Sequence, residues 1–336
     1  MQAEAIDIRS EAAYEFDRRP AVYPVAAPAL KCISINTHRG QGPKLPYLLS
    51  QVSMEEAERI QLLHHTRVYT YYIAEWLNQK KREFDVVGLQ EVFNGVLGFG
   101  DRLQGKFHQR DHYRVISGFR AALPHGVGFA GFRYENLLLS QLQMMDGAQI
   151  NYLLPGKVYF LAACGFTLAP FVFDGRIVWI GNTHLHPYSP KERKKQAISI
   201  ASEIRKLNGA PVLFLGDFNT VPPGCRDSGF PAGERDVNSY RHDETMKVLF
   251  DAGLNLYPHE DSERFYTYPT GLPNRTLDYI LFSDHWEVLS YEVAKDFKFS
   301  DHYPVSGEFR LRRQPRAAHV EEQLASKEIM CSVTQW

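Results

Sequence analysis

At 336 residues the chain is longer than the usual single domain, yet two-layer β-sandwich folds often exceed that length, so one large domain is the default. Hydrophobic residues make up 44% and charged residues 23%, enough apolar material for a substantial core, which excludes disorder over most of the length. Lys plus Arg (38) nearly balances Asp plus Glu (39), so the whole molecule lacks the strong positive field that draws proteins onto nucleic-acid backbones, although a local basic patch stays open.

In chain order, residues 1 to 29 are polar and Pro-dotted and read as a tail. They carry Glu4, Asp7, Arg9, Glu11, Glu15 and Asp17 with no continuous apolar core, so no secretory signal is expected and a cytoplasmic location is the default. The folded body is expected over 30–313, followed by a second tail over 314–336. Short β-rich runs recur in the body, each bounded by Gly, Pro, Asn or Asp: Lys31 to Asn36, Asp85 to Glu91, Tyr113 to Phe119, Asn136 to Gln141, Val158 to Phe166, Arg176 to His184, Val212 to Asn219, Thr276 to Phe282, Trp286 to Val293 and Tyr303 to Leu311. The most apolar stretch, Val158 to Phe173, is broken by Gly165 and Pro170 and reads as buried strands; no transmembrane segment is expected.

Three helical segments interrupt the strands, and two carry capping-box start signals: Ser53 with Glu56, and Ser189 with Pro190 and Glu192. The second continues with Ala197, Ile200, Ile204 and Leu207, a core-facing stripe at helical spacing. So many strands with so few helices predict an α/β sandwich of two packed, mostly antiparallel sheets flanked by helices rather than a doubly wound parallel sheet. Cys32, Cys164, Cys225 and Cys331 show no zinc-site spacing and read as free thiols, two of them in strands.

The chemistry concentrates where polar residues end otherwise apolar strands: Asn36, Glu91, His184, Asp217 with Asn219, Asp278 within Thr-Leu-Asp-Tyr-Ile-Leu, and Asp301 with His302 just before the last strand. Singly, Asn36 and Asn219 read as turn-formers, Asp217 as a cap, Asp278 as half of an ion pair and His184 as a satisfied core histidine. Jointly, buried carboxylates cost several kcal/mol unless they meet one another or a cation. Hard oxygens with histidine and no thiolate cluster suit magnesium (Mg2+) or manganese (Mn2+).

Gly-Leu-Gln-Glu-Val-Phe (88–93), Asn-Thr-His-Leu (182–185), Gly-Asp-Phe-Asn (216–219), Leu-Asp-Tyr-Ile (277–280) and Ser-Asp-His-Tyr-Pro-Val (300–305) resemble, in order, the motifs of the endonuclease/exonuclease/phosphatase superfamily. This resemblance implies a four-layered α/β sandwich and a Mg2+-dependent attack of water on phosphorus. It implies that Glu91 holds the metal with help from Asn36, and that Asp217 and Asn219 position the attacking water and a phosphate oxygen. His302 is the implied general base, oriented by Asp278, and Asp301 is a further metal or water ligand. His184 gives a hydrogen bond or proton on the opposite side of the phosphate, so Asn219 and His184 are also the expected substrate contacts. Tyr134, Glu135 and Asn136 stand where the family's segment often begins with Gly, and Asn136 is read as structural.

Within the superfamily, the Trp-containing motif and Cys-Asp-Arg signature of the inositol-polyphosphate phosphatases are absent, and apurinic endonucleases usually have Asn or Asp in place of His184. Pancreatic deoxyribonucleases and neutral sphingomyelinases keep that histidine. Glu91-Val-Phe-Asn with Asp101-Arg-Leu, His184-Leu-His186 and the 300–305 run are similar to the sphingomyelinases, so a phosphodiester with a lipid headgroup is the expected substrate and a membrane surface an expected peripheral contact. Only Ala294 to Phe299 precede Ser300, leaving no room for the long aromatic hairpin of the secreted bacterial enzymes. Lys191, Arg193, Lys194 and Lys195 form a basic run that could steer phosphates or be a solvated helix face. A nuclease on DNA or RNA and a catalytically silent binding module are the alternatives.

Overall fold

A computed structural model describes residues 28–44, 52–64, 68–80, 83–95, 109, 113, 119, 121–129, 132–145, 150–153, 165–221, 223, 240, 242–257 and 263–312. They build two sheets. The first, in the order β12-β13-β1-β2-β4-β3, is made of β1 (Ala29–Asn36), β2 (Val86–Gly95), β3 (Ala121–Phe129), β4 (Phe132–Ser140), β12 (Trp286–Val293) and β13 (Val305–Leu311). The second runs β10-β11-β9-β8-β7-β5, with β6 also paired to β7; its strands are β5 (Gln143–Met144), β6 (Ile150–Leu153), β7 (Gly165–Phe173), β8 (Arg176–His184), β9 (Val212–Asp217), β10 (Leu254–Asn255) and β11 (Asp278–Ser283).

Each sheet is antiparallel apart from one parallel pair, β1 with β2 and β8 with β9. Parallel neighbours need a crossover. Helices α1 (Met54–His64) and α2 (Tyr69–Lys80) lie within the first, and α3 (Pro190–Lys206) within the second, while α4 (Thr245–Phe250) packs with α3. Both crossovers bring two strand C-termini to one rim of a sheet.

Side-chain alternation sorts the layers. Leu30 and Cys32 of β1, Val86 of β2, Val178 and Ile180 of β8, Leu213 and Leu215 of β9, and Ile280 of β11 fill the core between the sheets. Ile33, Ile35, Val87 and Leu89 face the other way, onto Ile73, Ala74 and Leu77 of α2. Val212, Phe214, Tyr279 and Leu281 meet Ala197, Ile200 and Ile204 of α3. The order helix, sheet, sheet, helix is the expected sandwich, and the α3 stripe faces the core as read. No helix among the described residues is long and apolar enough to cross a membrane.

Along the inner face each strand changes character: Leu30 and Cys32 give way to Ser34 and Asn36, Val86 to Gln90, Ile180 to Asn182 and His184, all buried. Asn182 ties the sheets together, donating from Nδ2 to the carbonyls of Leu89 (3.0 Å) and Leu137 (3.2 Å) and accepting from Gln90 Nε2 (2.6 Å) at Oδ1. Gly88 faces it so closely that a Cβ there would come within 2.8 Å of Asn182 Oδ1.

Several expectations change. Four α-helical segments are described rather than three. Each capping box is half made: Ser53 Oγ accepts from Glu56 N–H and Ser189 Oγ from Glu192 N–H, while the two glutamates turn to Arg59 and Lys195. The expected Tyr113 to Phe119 strand lies outside the described residues except for its two ends, neither of which is in a strand. Strand β3 escaped the sequence reading because Pro124, Gly126 and Gly128 break its pattern; it is the sheet edge, where such residues are tolerated. Pro170 sits within β7 at the break between its partners β6 and β5, where no ladder donor is needed. Of the cysteines, Cys32 is a free thiol buried on β1; Cys164, Cys225 and Cys331 lie outside the described residues, as do 158–164 and most of both tails. The link after β12 turns inward: Phe297 is buried, with its ring 5.1 Å from Trp76 and 5.2 Å from Phe299, which meets Tyr72 at 5.8 Å.

Asn182→Ala is expected to remove the side-chain donor from two buried carbonyls and one of the two acceptors of the Gln90 amide, destabilising the fold by about 3 kcal/mol at a typical 1–3 kcal/mol per buried group left unpaired. Urea unfolding measures this, and a loss below about 1 kcal/mol would mean the tie contributes little.

Candidate active site

Strand register assembles the polar rim. In the second sheet His184 pairs with Asp217 and Asp217 with Asp278, a row across three strands. Gly216 permits this approach, since a Cβ there would lie 2.3 Å from the Thr183 carbonyl oxygen. In the first sheet Asn36 pairs with Gln90, and the turn before β13 reaches the same place because Ser300 Oγ donates to the Asn36 carbonyl at 2.6 Å.

Asp217 is the hub. Its Oδ1 accepts the Asn219 N–H at 2.9 Å and its Oδ2 accepts Asn36 Nδ2 at 2.9 Å. Two imidazoles flank Oδ2, with His184 Nε2 at 3.6 Å and His302 Nε2 at 3.8 Å. Burial and the nearby Asp278 push the Asp217 carboxyl up to about 6, with His302, His184 and Asn36 pulling the other way. His302 Nδ1 lies 2.8 Å from Asp278 Oδ2. Burial disfavours the imidazolium, but Asp278, then Asp217 and Asp301, outweigh it and raise His302 to about 10. With Nδ1–H given to Asp278, Nε2 is the nitrogen left facing the rim, ready to exchange a proton. Asn219, at φ +49°, anchors its Nδ2 on the Leu185 carbonyl at 3.0 Å.

Glu91 reaches the rim through a bulge. Alternation from Val87 and Leu89 would aim it outward at α2, but the β2–β4 register shifts between Leu89 and Val92 and Glu91 takes φ +55°, turning its carboxylate inward. Thr37 Oγ1 supports the bulge by donating to the Gln90 and Glu91 carbonyls at 2.9 and 3.0 Å. Glu91 Oε1 lies 3.4 Å from Asn36 Nδ2 and 4.0 Å from His184 Nε2, and Oε2 takes Arg39 Nε at 2.9 Å. Burial opposes its ionisation, but Arg39, then His184 and His38, hold it down to about 2. Asp301 Oδ2 meets Lys44 Nζ at 2.8 Å and Oδ1 lies 3.6 Å from His38 Nδ1; against burial, His38, Lys44 and His302 hold that carboxyl well below the usual carboxylate range.

The strand-end residues Asn36, Glu91, His184, Asp217, Asn219, Asp278, Asp301 and His302 therefore come to one rim. One assignment shifts: Asn36 turns its amide nitrogen, not its oxygen, to Glu91 and Asp217, while Oδ1 accepts the His38 N–H at 2.9 Å, so it is placed as a donor that holds two carboxylates rather than as an oxygen ligand. Asn136 is buried and donates to the Gly165 carbonyl at 3.1 Å, a packing role. His186 accepts the Tyr188 and Ser189 N–H groups at Nδ1, shaping the entry to α3. The basic run divides: Arg193 is buried against Asp243 and the His186 carbonyl, whereas Lys194 and Lys195 stay on the helix surface and pair with Glu244 and Glu192. Asp101 lies outside the described residues.

The sequence reading missed Gln90 and Asn182, although both continue an inner-face alternation that was in view. It also missed His38, Arg39 and Lys44, which lie in a loop whose path no periodicity signals.

The donor set fits a hard divalent cation. Ligand atoms of Asp217, Asp278 and His302 lie within 4.8 Å of one another, and Asp278 Oδ1 is a buried carboxylate oxygen without a hydrogen-bond partner among the described residues. Because His302 Nδ1 already occupies Asp278 Oδ2, that trio is better explained as an oriented imidazole than as a closed metal cage.

Comparison with known proteins agrees with this fold. No curated protein matches the sequence. Among solved structures, an endonuclease/exonuclease/phosphatase from Beutenbergia cavernae is similar at 17% identity and a TM-score of 0.58, covering 86% of this chain and 73% of that one. A mannosyl-6-phosphatase from Bacteroides thetaiotaomicron (16% identity, TM-score 0.54, 83% and 99% covered) and the human Nocturnin catalytic domain with bound sulfate (19%, 0.53, 85% and 94%) share the fold. The sequence profile of the endonuclease/exonuclease/phosphatase family matches residues 70–302, well over half of the chain. The chain belongs to the endonuclease/exonuclease/phosphatase family, whose members act on phosphate esters.

Proposed function

We propose that this protein is a Mg2+-dependent hydrolase, with Mn2+ able to substitute, that cleaves a phosphodiester by attack of water on phosphorus. The observation that carries the reading is the pair of imidazoles that both approach Asp217 Oδ2, one of them fixed by its own carboxylate at 2.8 Å. An in-line displacement asks for a base on one side of phosphorus and a donor on the other, the roles proposed for His302 and His184. Glu91 and Asp301 would hold the cation, which when bound supplies charge neutralisation at the phosphate oxygens. Asp278 accepts the His302 Nδ1–H and turns Nε2 toward Asp217; it is the neutral imidazole that takes a proton from water there, a form that a cation held by Glu91 and Asp301 would favour over the imidazolium. Asp217, itself fixed by Asn36 and the Asn219 N–H, orients that water. As the new O–P bond forms and the old one breaks, the proton of water passes to His302 and His184 donates to the departing oxygen. Asn219 contacts a phosphate oxygen.

For the substrate we propose a lipid headgroup, on the strength of the Glu91-Val-Phe-Asn and Ser300-Asp-His-Tyr-Pro-Val runs; the structural role of His186 removes the third sphingomyelinase-like segment from the case. Sphingomyelin, phosphatidylcholine, plasmid DNA, single-stranded RNA and mannose 6-phosphate, each with Mg2+ and with chelator, form the deciding panel. Headgroup release supports the proposal, cleavage of nucleic acid alone moves the substrate to the nuclease alternative, and inertness toward the whole panel removes the catalytic reading. On the best substrate, Glu91→Ala and His302→Ala are each expected to lower kcat about a hundredfold or more with the fold intact.

Linkage gives a second check. The folded value of His302, about 10, lies above its ordinary 6.5, so its stabilising contribution is complete below about pH 6.5 and is lost as pH rises through 10. Asp278→Asn removes the first cause of that elevation. In chelator, its loss of stability on alkalinisation is expected to be smaller than that of the wild type and to occur at lower pH; identical stability–pH curves would show that Asp278 does not hold the imidazolium.

A further inference from the structure

We infer that Arg39 and Lys44, two cations on the loop after β1, are ligands for the substrate phosphate, and that Glu91 and Asp301 keep them at the rim in the positions a divalent cation would otherwise neutralise. This rests on the hydrolase reading above and adds to it two residues that none of the sequence motifs contains.

Each of the two carboxylates assigned to the metal carries one tethered cation. Arg39 Nε is 2.9 Å from Glu91 Oε2, and Lys44 Nζ is 2.8 Å from Asp301 Oδ2. A divalent ion held by those carboxylates would repel both side chains and weaken their hold. The side chains can respond, since Arg39 is 23% and Lys44 38% exposed whereas Glu91 and Asp301 are 16% and 4%. Their backbones cannot drift far. Gln109 Nε2 donates to the Arg39 carbonyl at 2.6 Å, His38 Nδ1 lies 2.6 Å from the Gly42 carbonyl oxygen, and Gly42 packs so tightly that a Cβ would meet the Tyr69 ring at 2.4 Å. His38 and Arg39 both hold positive φ, 44° and 55°, a conformation that side chains disfavour and that the surrounding bonds impose.

Each of the two cations also adjoins a neighbour of one of the imidazoles. Arg39 takes one oxygen of Glu91, whose other oxygen lies 4.0 Å from His184 Nε2. Lys44 donates to Tyr268 Oη at 2.8 Å, and the Tyr268 ring lies 4.7 Å from the His302 ring, so Lys44 is one aromatic ring away from the base. A guanidinium fork suits two phosphate oxygens at once, and an ammonium suits one as a point charge. Released from their carboxylates, the two have the chemistry and the reach to take the non-bridging oxygens.

Calorimetric titration of the full-length chain with Mn2+, and then of the Mn2+-loaded protein with inorganic phosphate, tests this in the wild type, Arg39→Gln and Lys44→Met. Losing a built-in competitor is expected to tighten Mn2+ binding about two- to fivefold, the scale of a partly exposed ion pair. Losing a charged ligand is expected to weaken phosphate binding about tenfold. Opposite changes in the two affinities are not what a merely structural loop contact produces. Unchanged affinity for either ligand in both variants, or weaker Mn2+ binding, overturns the inference; should Arg39→Gln fail to fold, Lys44→Met alone decides. A wild type that binds Mn2+, with variants that bind phosphate normally, sinks this inference and leaves the hydrolase reading standing, whereas a wild type that binds no Mn2+ removes both.

Discussion

The structure depends on a single amide that spans the gap between two sheets. Asn182 belongs to β8, yet it donates to carbonyls of β2 and β4 and takes the amide proton of Gln90. Its bonds fall beside the bulge, where the β2–β4 ladder is interrupted and carbonyls would otherwise lose a donor in a buried place. The defect that turns Glu91 inward and the tie that holds the sheets at that level are thus one arrangement. Below it the inter-sheet space is apolar; above it, everything polar faces a common rim.

That boundary explains how one small volume can hold several carboxylates. The charges are sorted by neighbours rather than by burial, which is severe for all of them. Glu91 and Asp301 lie beside Arg39, Lys44 and His38 and are held firmly ionised, whereas Asp217 lies beside Asp278 and is pushed the other way. Two carboxylates committed to negative charge and a third that resists it are an unequal set, and such inequality is how one site keeps cation binding and proton handling apart.

Much of this was legible in the chain. Residues that end apolar strands with Asn, Glu, His or Asp can only be accommodated together, and their order marks which strand ends must coincide. The layers followed from alternation, which also placed Ala197, Ile200 and Ile204 of α3 against the core. What stayed hidden depends on geometry that no periodicity encodes. Glu91 looked like a strand end but needed a positive φ to face the site. The partners of Glu91 and Asp301 come from a loop, and β3 hides behind its proline and glycines because an edge strand has fewer hydrogen bonds to satisfy. Arg193 is the converse case: within a basic run expected either to steer phosphates or to form a solvated helix face, it is buried against Asp243.

The short link between β12 and the last motif leads Phe297 and Phe299 into a seam with Trp76 and Tyr72 of α2. His302 lies only a few residues beyond that seam, so the bearing of its imidazole is fixed in part by a helix on the far side of the sheet. The outer flank of the molecule and the rim are therefore joined through the chain itself, with Phe299 three residues ahead of His302.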